Sequence, residues 1–142
     1  MAPSKLNGAK LSLADFNDVR SMEKPIDVPV LTPGGEPSGL VLKVIGDQSG
    51  PVEEMRAVLQ AEETARAASA MADAKPGEMP VSETPQQLKR RLCRLCAARI
   101  VGWEGVEEEF NPALAYDLVA HSDRVFNTVT TASQKLGNFT KR

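Results

Sequence analysis

The stretch Ile26-Asp27-Val28-Pro29-Val30-Leu31-Thr32-Pro33-Gly34-Gly35-Glu36-Pro37-Ser38-Gly39-Leu40-Val41-Leu42-Lys43-Val44-Ile45-Gly46 decides the fold class. Val28 and Val30 alternate with Asp27 and Pro29, the period of a strand, and Pro29 keeps that strand at a sheet edge because it cannot donate to a ladder. Thr32 to Gly39 carries the glycines and prolines of a turn joining two strands. In the second strand, period two puts Leu40, Leu42 and Val44 on one face and Val41, Lys43 and Ile45 on the other, and Gly46 ends it. A lone hairpin is marginal in water. It must pack on a helix of its own chain or gain strands from neighbours, and the second option makes self-association an expectation.

Downstream, Ser49-Gly50-Pro51 opens a helix, since a first-turn proline lacks only an N–H that would be unpaired anyway, and Glu53 and Glu54 suit the positive helix end. The helix is expected to run to about Met71. Val52, Met55, Val58 and Leu59 form an apolar stripe at its start, and the rest is Ala, Glu and Arg, helical by propensity more than by burial. Glu62 and Arg66 have the spacing of an i, i+4 ion pair. Upstream, residues 1–22 mix Ser, Asn, Asp, Lys and Gly with isolated apolars and are expected to form a flexible arm, in which Leu13 and Phe16 can dock as one helical turn. Residues 23–72 then make a hairpin-plus-helix unit, and the proline-rich 73–84 makes a linker.

Beyond the linker lies a C-terminal helical domain, residues 85–142. Thr84-Pro85 starts a helix expected to reach about Val101, with Leu88, Leu92, Leu95, Cys96 and Trp103 within about a quarter-turn of one another. Lys89, Arg90, Arg91 and Arg94 mostly point away from that stripe. Arg99 falls on the apolar side, where it can snorkel or meet a following glutamate. Ile100-Val101-Gly102-Trp103-Glu104-Gly105-Val106 then reads as a pivot at the helix end, with the only tryptophan between two glycines and Glu107, Glu108 and Glu109 after it. Asn111-Pro112 is an N-cap and N1 pair for a short helix carrying Leu114, Leu118 and Val119. Ser122 caps a last helix with Val125, Phe126, Val129 and Ala132 on one face, and Leu136-Gly137 supplies its stop. The expected core is Leu88, Leu92, Leu95, Leu114, Leu118, Phe126 and Val129. The fold class is therefore α+β and mostly α-helical: an N-terminal β-hairpin, a long helix and a C-terminal three-helix cluster.

Composition narrows the function. A chain of 142 residues with 4% aromatics has few large anchors and builds a modest, alanine-rich core. A net charge of −2 argues against a general nucleic-acid binder. The first residues lack the apolar core of a secretory signal, and no apolar run approaches membrane-spanning length, so a soluble cytosolic protein is expected. Cys93-Arg94-Leu95-Cys96 has CxxC spacing, but a redox pair belongs at a helix N-terminus and a zinc site needs two more ligands at a telling spacing. Both cysteines read as small apolar helix residues. His121, the only histidine, has no nucleophile motif beside it. The glycine-containing turns match neither phosphate-loop pattern. Neither catalytic residues, nor a metal, nor a cofactor are expected.

Two blocks carry a family resemblance. Leu31 to Leu40 with Val44-Ile45-Gly46 and Ser49 resembles the N-terminal hairpin of small bacteriophage tail assembly chaperones. Arg99 to Val106, followed by Phe110-Asn111-Pro112 and Asn138-Phe139, resembles their C-terminal half. The resemblance covers about residues 24 to 139. It implies a non-enzymatic protein, made in the cytoplasm of the infected bacterial host, that binds the tape-measure protein and helps recruit tail-tube subunits. It offers Trp103, Phe110 and the hairpin as candidate contacts. The residue reading adds Val52, Met55 and Leu59 on the long helix and the basic face Lys89, Arg90 and Arg91. A permanent component of a phage tail or head-tail connector fits the same composition, and a small DNA-binding regulator would use the basic face. Membrane partners are not expected and nucleic acid is disfavoured.

Overall fold

The computed structural model describes residues 12–80 and 83–140. Most of the expected flexible arm, residues 1–11, lies outside them. The described remainder is a 3-10 turn, Leu13–Phe16, and a short helix α1, Asp18–Met22, capped by the Asn17 side chain on the Arg20 amide. Leu13 and Phe16 stay exposed, so the helical turn forms without docking. Met22, in contrast, is buried. Its carbonyl accepts from the Gly46 amide at 2.7 Å, and its sulfur accepts from the Gln48 amide at 3.3 Å. A Cβ on Gly46 would fall 2.2 Å from the Met22 side chain, so glycine is what lets α1 close on the end of the hairpin.

Strands β1, Ile26–Leu31, and β2, Pro37–Val44, form the expected antiparallel hairpin. The turn is closed by the Thr32 amide on the Glu36 carbonyl and the Gly35 amide on the Thr32 carbonyl. Register runs Ile26↔Val44, Val28↔Leu42 and Pro29↔Val41, with a bulge before Leu31. The hairpin's need for neighbours is met within the chain. Ile100–Glu104 is strand β3, antiparallel to β2 with Leu42 opposite Trp103, and not a helix end or pivot. The sheet order is β1-β2-β3. Beyond β3, Gly105 turns at φ +91°, and a Cβ there would lie 1.9 Å from the Gly39 carbonyl oxygen.

The helices are α2, Gly50–Asp73; α3, Pro85–Ala98; α4, Pro112–His121; α5, Asp123–Gln134; and α6, Gly137–Thr140. Their starts follow the sequence signals. Thr84 and Gln87 make a reciprocal capping box, Asn111 accepts from the Ala113 amide, and Ser122 accepts from the Val125 amide. The last element, α6, is one turn past the expected stop. Residues on both sides of 73–84 contribute to one sheet and one core.

That core lies between one sheet face and helices α3, α4 and α5. Val28, Val30, Leu42, Val44 and Ile100 meet Cys93 and Cys96 of α3, Ala115 and Val119 of α4, and Val125 and Val129 of α5. Val129 matches the expectation, while Leu95, Leu118 and Phe126 sit at the periphery and are half-buried. Leu88, Leu92 and Leu114 do not: they are 40%, 41% and 39% exposed. The physical reason is that α3 is turned so that its narrow cysteine edge meets the interior. Small side chains let neighbouring backbones approach closely, and the leucines of the same apolar arc are left at its margin. The opposite sheet face is open and carries Lys43 between Asp27, at 2.6 Å, and Glu104, at 3.9 Å.

Candidate interaction surfaces

Trp103 points from β3 to the helix side of the sheet and remains half-buried. Its indole Nε1–H donates to the Glu108 carbonyl at 2.9 Å, folding the acidic loop back over the strand. Its ring meets Phe110 edge to face, with centroids 5.1 Å apart and planes at 77°. Phe110 thus stands behind the indole as its support. In front of the indole lies an open groove of about 300 Å³ between Leu40, Val106, Leu114 and Leu118, rimmed by Glu108 and Asp117. Leu114 and Leu118, expected in the core, line this groove because they are one turn apart on α4 and about a quarter-turn round from Ala115 and Val119, with Leu118 still packed on the core's edge. Val106 and the two rim carboxylates carried no warning in the sequence beyond one apolar residue inside an acidic run.

The expected contacts on the long helix fare differently. Val52 and Leu59 are buried and Met55 is half-buried, so this stripe attaches α2 to its own chain. Beyond Leu59 the helix meets α3 through charge. Glu62 accepts from Arg94 of α3 at 2.6 Å; beside this bridge Arg66 donates to Glu63 within α2 at 2.7 and 3.1 Å, and Arg91 of α3 donates to Glu83, just ahead of its own helix, at 2.8 and 3.0 Å. These hydrogen bonds hold all three carboxyls below the usual glutamate range. Glu62 thus reaches α3 rather than serving only its own helix. Of the expected basic contact face, Arg91 is engaged internally, whereas Lys89 and Arg90 make no ion pair among the described residues. The outer side of distal α2 keeps Ala61, Ala65, Ala68, Met71 and Ala72 exposed.

Arg99 is only 4% exposed, and its partner is Asp47 in the β2–α2 loop, not a following glutamate. The guanidinium donates to Asp47 Oδ1 at 2.7 and 3.1 Å and to Thr130 at 3.4 Å, and Arg56 reaches the same carboxylate at 2.6 Å. Burial pushes the Asp47 carboxyl up, but bonds and charge from Arg99 and Arg56 outweigh it, leaving it below the usual range. The same loop takes the Asp47 amide to the Ser133 carbonyl at 3.0 Å and the Ser133 hydroxyl to the Ile45 carbonyl at 2.8 Å. This knot joins α2, α3 and α5 to the hairpin. No buried side-chain polar atom among the described residues lacks a partner.

Burial raises both thiols, so Cys93 and Cys96 are protonated core residues at neutral pH. Among the described residues there is no cluster of His, Cys, Asp and Glu suited to a metal, and no helix long and apolar enough to cross a membrane. Comparison with protein-family models, with characterised proteins and with solved structures finds no match.

Proposed function

We propose that this protein is a non-enzymatic phage tail assembly chaperone, acting in the cytoplasm of the infected bacterium on the tape-measure protein and on recruitment of tail-tube subunits. One observation carries the reading: apart from Leu42 the chain fills its core with Val, Cys, Ala and Ile, and leaves several large apolar side chains at its margin or exposed. Trp103, Leu114 and Leu118 form a groove, and Met71 extends the bare outer side of α2. Apolar surface kept out of a core marks a protein that works by binding. The 24 residues of α2 span about 36 Å, and their distal half offers a long partner a face of small residues. The residue resemblance described above supplies the identity of that partner. A DNA-binding role is disfavoured because Arg91 and Arg94 are already paired with glutamates.

Solubility of the client tests the proposal. Expressed with this chain, the tape-measure protein of the same phage stays in the supernatant after centrifugation, and expressed alone it sediments. Equal sedimentation in both cases contradicts the chaperone role.

A further inference from the structure

Two neighbouring segments of this chain carry opposite charge, and each borders exposed apolar surface. Residues 86–99 contain Lys89, Arg90, Arg91, Arg94 and Arg99 and no acidic residue. Residues 100–123 contain Glu104, Glu107, Glu108, Glu109, Asp117 and Asp123 and no Lys or Arg. Folding does not let them neutralise each other. Arg91, Arg94 and Arg99 are taken by Glu83, Glu62 and Asp47, which lie outside both segments. Glu108 and Asp117, on the groove rim, make no ion pair among the described residues. On α3, Leu88 and Leu92 are one turn apart and exposed, and the free charge Lys89 flanks them, three residues before Leu92. A helix with an i, i+4 leucine pair and an adjacent cation has the chemistry that an apolar groove with a carboxylate rim receives.

We propose that the Trp103 groove takes the Leu88–Leu92 face of α3 from a second copy of this chain, with Lys89 meeting the rim formed by Glu108 and Asp117. The two surfaces differ, so the contact is head to tail and each copy keeps one surface free for the next. Assembly then continues past a dimer unless the rotation between copies closes a ring. This inference does not depend on tail assembly and is tested without any client.

The test is sedimentation velocity on the full chain across a range of concentrations. The rim and α3 residues suit charge reversal: Glu108 and Asp117 serve the fold through main-chain carbonyls, which bond Trp103 and His121. Lys89 is exposed and makes no ion pair among the described residues. The wild type is expected to grow with concentration beyond two copies. Glu108→Lys with Asp117→Lys, and separately Lys89→Glu, should each stay at the single-chain mass of 15.3 kDa. Mixing the two variants, or combining all three reversals in one chain, should restore growth. A monomeric wild type at every concentration overturns the proposal and leaves the groove to a basic helix of another protein. Either variant assembling like the wild type, or mixtures that stay monomeric, overturns it as well.

Discussion

At the scale of single residues, Asp47 does most to hold the molecule together. It accepts from a nearly buried guanidinium and is itself 22% exposed, so the pair is largely desolvated. Removing one member of such a pair strands the other charge, and Asp47→Ala should cost about 3 kcal/mol. Its folded pKa is depressed, so its stabilisation is complete above the unfolded value of about 3.9 and is lost as pH falls through the lower folded value. Urea titrations across pH check this: the midpoint gap between wild type and Asp47→Ala should shrink as acid protonates Asp47. A gap that is constant with pH would show that the carboxylate charge contributes nothing. None of this was legible locally. Arg99 was recognisable as a charge on an apolar arc, but its partner lies 52 residues upstream, and short spacing pointed to the glutamates that follow.

At the scale of elements, helix starts were the most legible features because caps are local chemistry: Thr84-Pro85, Asn111-Pro112 and Ser122 all act where the sequence puts them. Strand β3 was not, since its pairing with β2 joins residues about sixty apart, and Ile100-Val101 extends the preceding apolar arc without a break. The β-branched pair followed by Gly102 was the available signal against a continuing helix. Periodicity found the apolar arc of α3 but could not tell its leucine edge from its cysteine edge. The groove stayed hidden for the same reason, because Leu114 and Leu118 read as ordinary core. Distal α2 gives a prediction of its own. One solvent-facing ion pair among the described residues, Glu62–Arg94, ties it to α3, and about 1 M salt shortens the screening length to about 3 Å. Amide protection over residues 61–73 should fall with added salt while that of β2 and α5 is unchanged. Acid should act in the same direction, because the stabilisation from Glu62, Glu63 and Glu83 is present above the ordinary glutamate pKa and is lost as pH falls through their lowered values. Protection insensitive to both would mean that apolar contact holds the helix.

At the scale of the whole molecule, a three-stranded sheet backed by helices sets the same residues to two uses. Apart from Leu42, small and β-branched side chains close the core, and several larger ones lie at the groove and along α2. Our central proposal is that these surfaces serve tail assembly. It is tested most directly by affinity capture of the tagged full chain from infected cells, with the captured proteins and the purified virions both read by mass spectrometry. The account predicts the tape-measure protein in the capture and no signal from this chain in virions. Abundant chain in the virions, or a capture without the tape-measure protein, would contradict it.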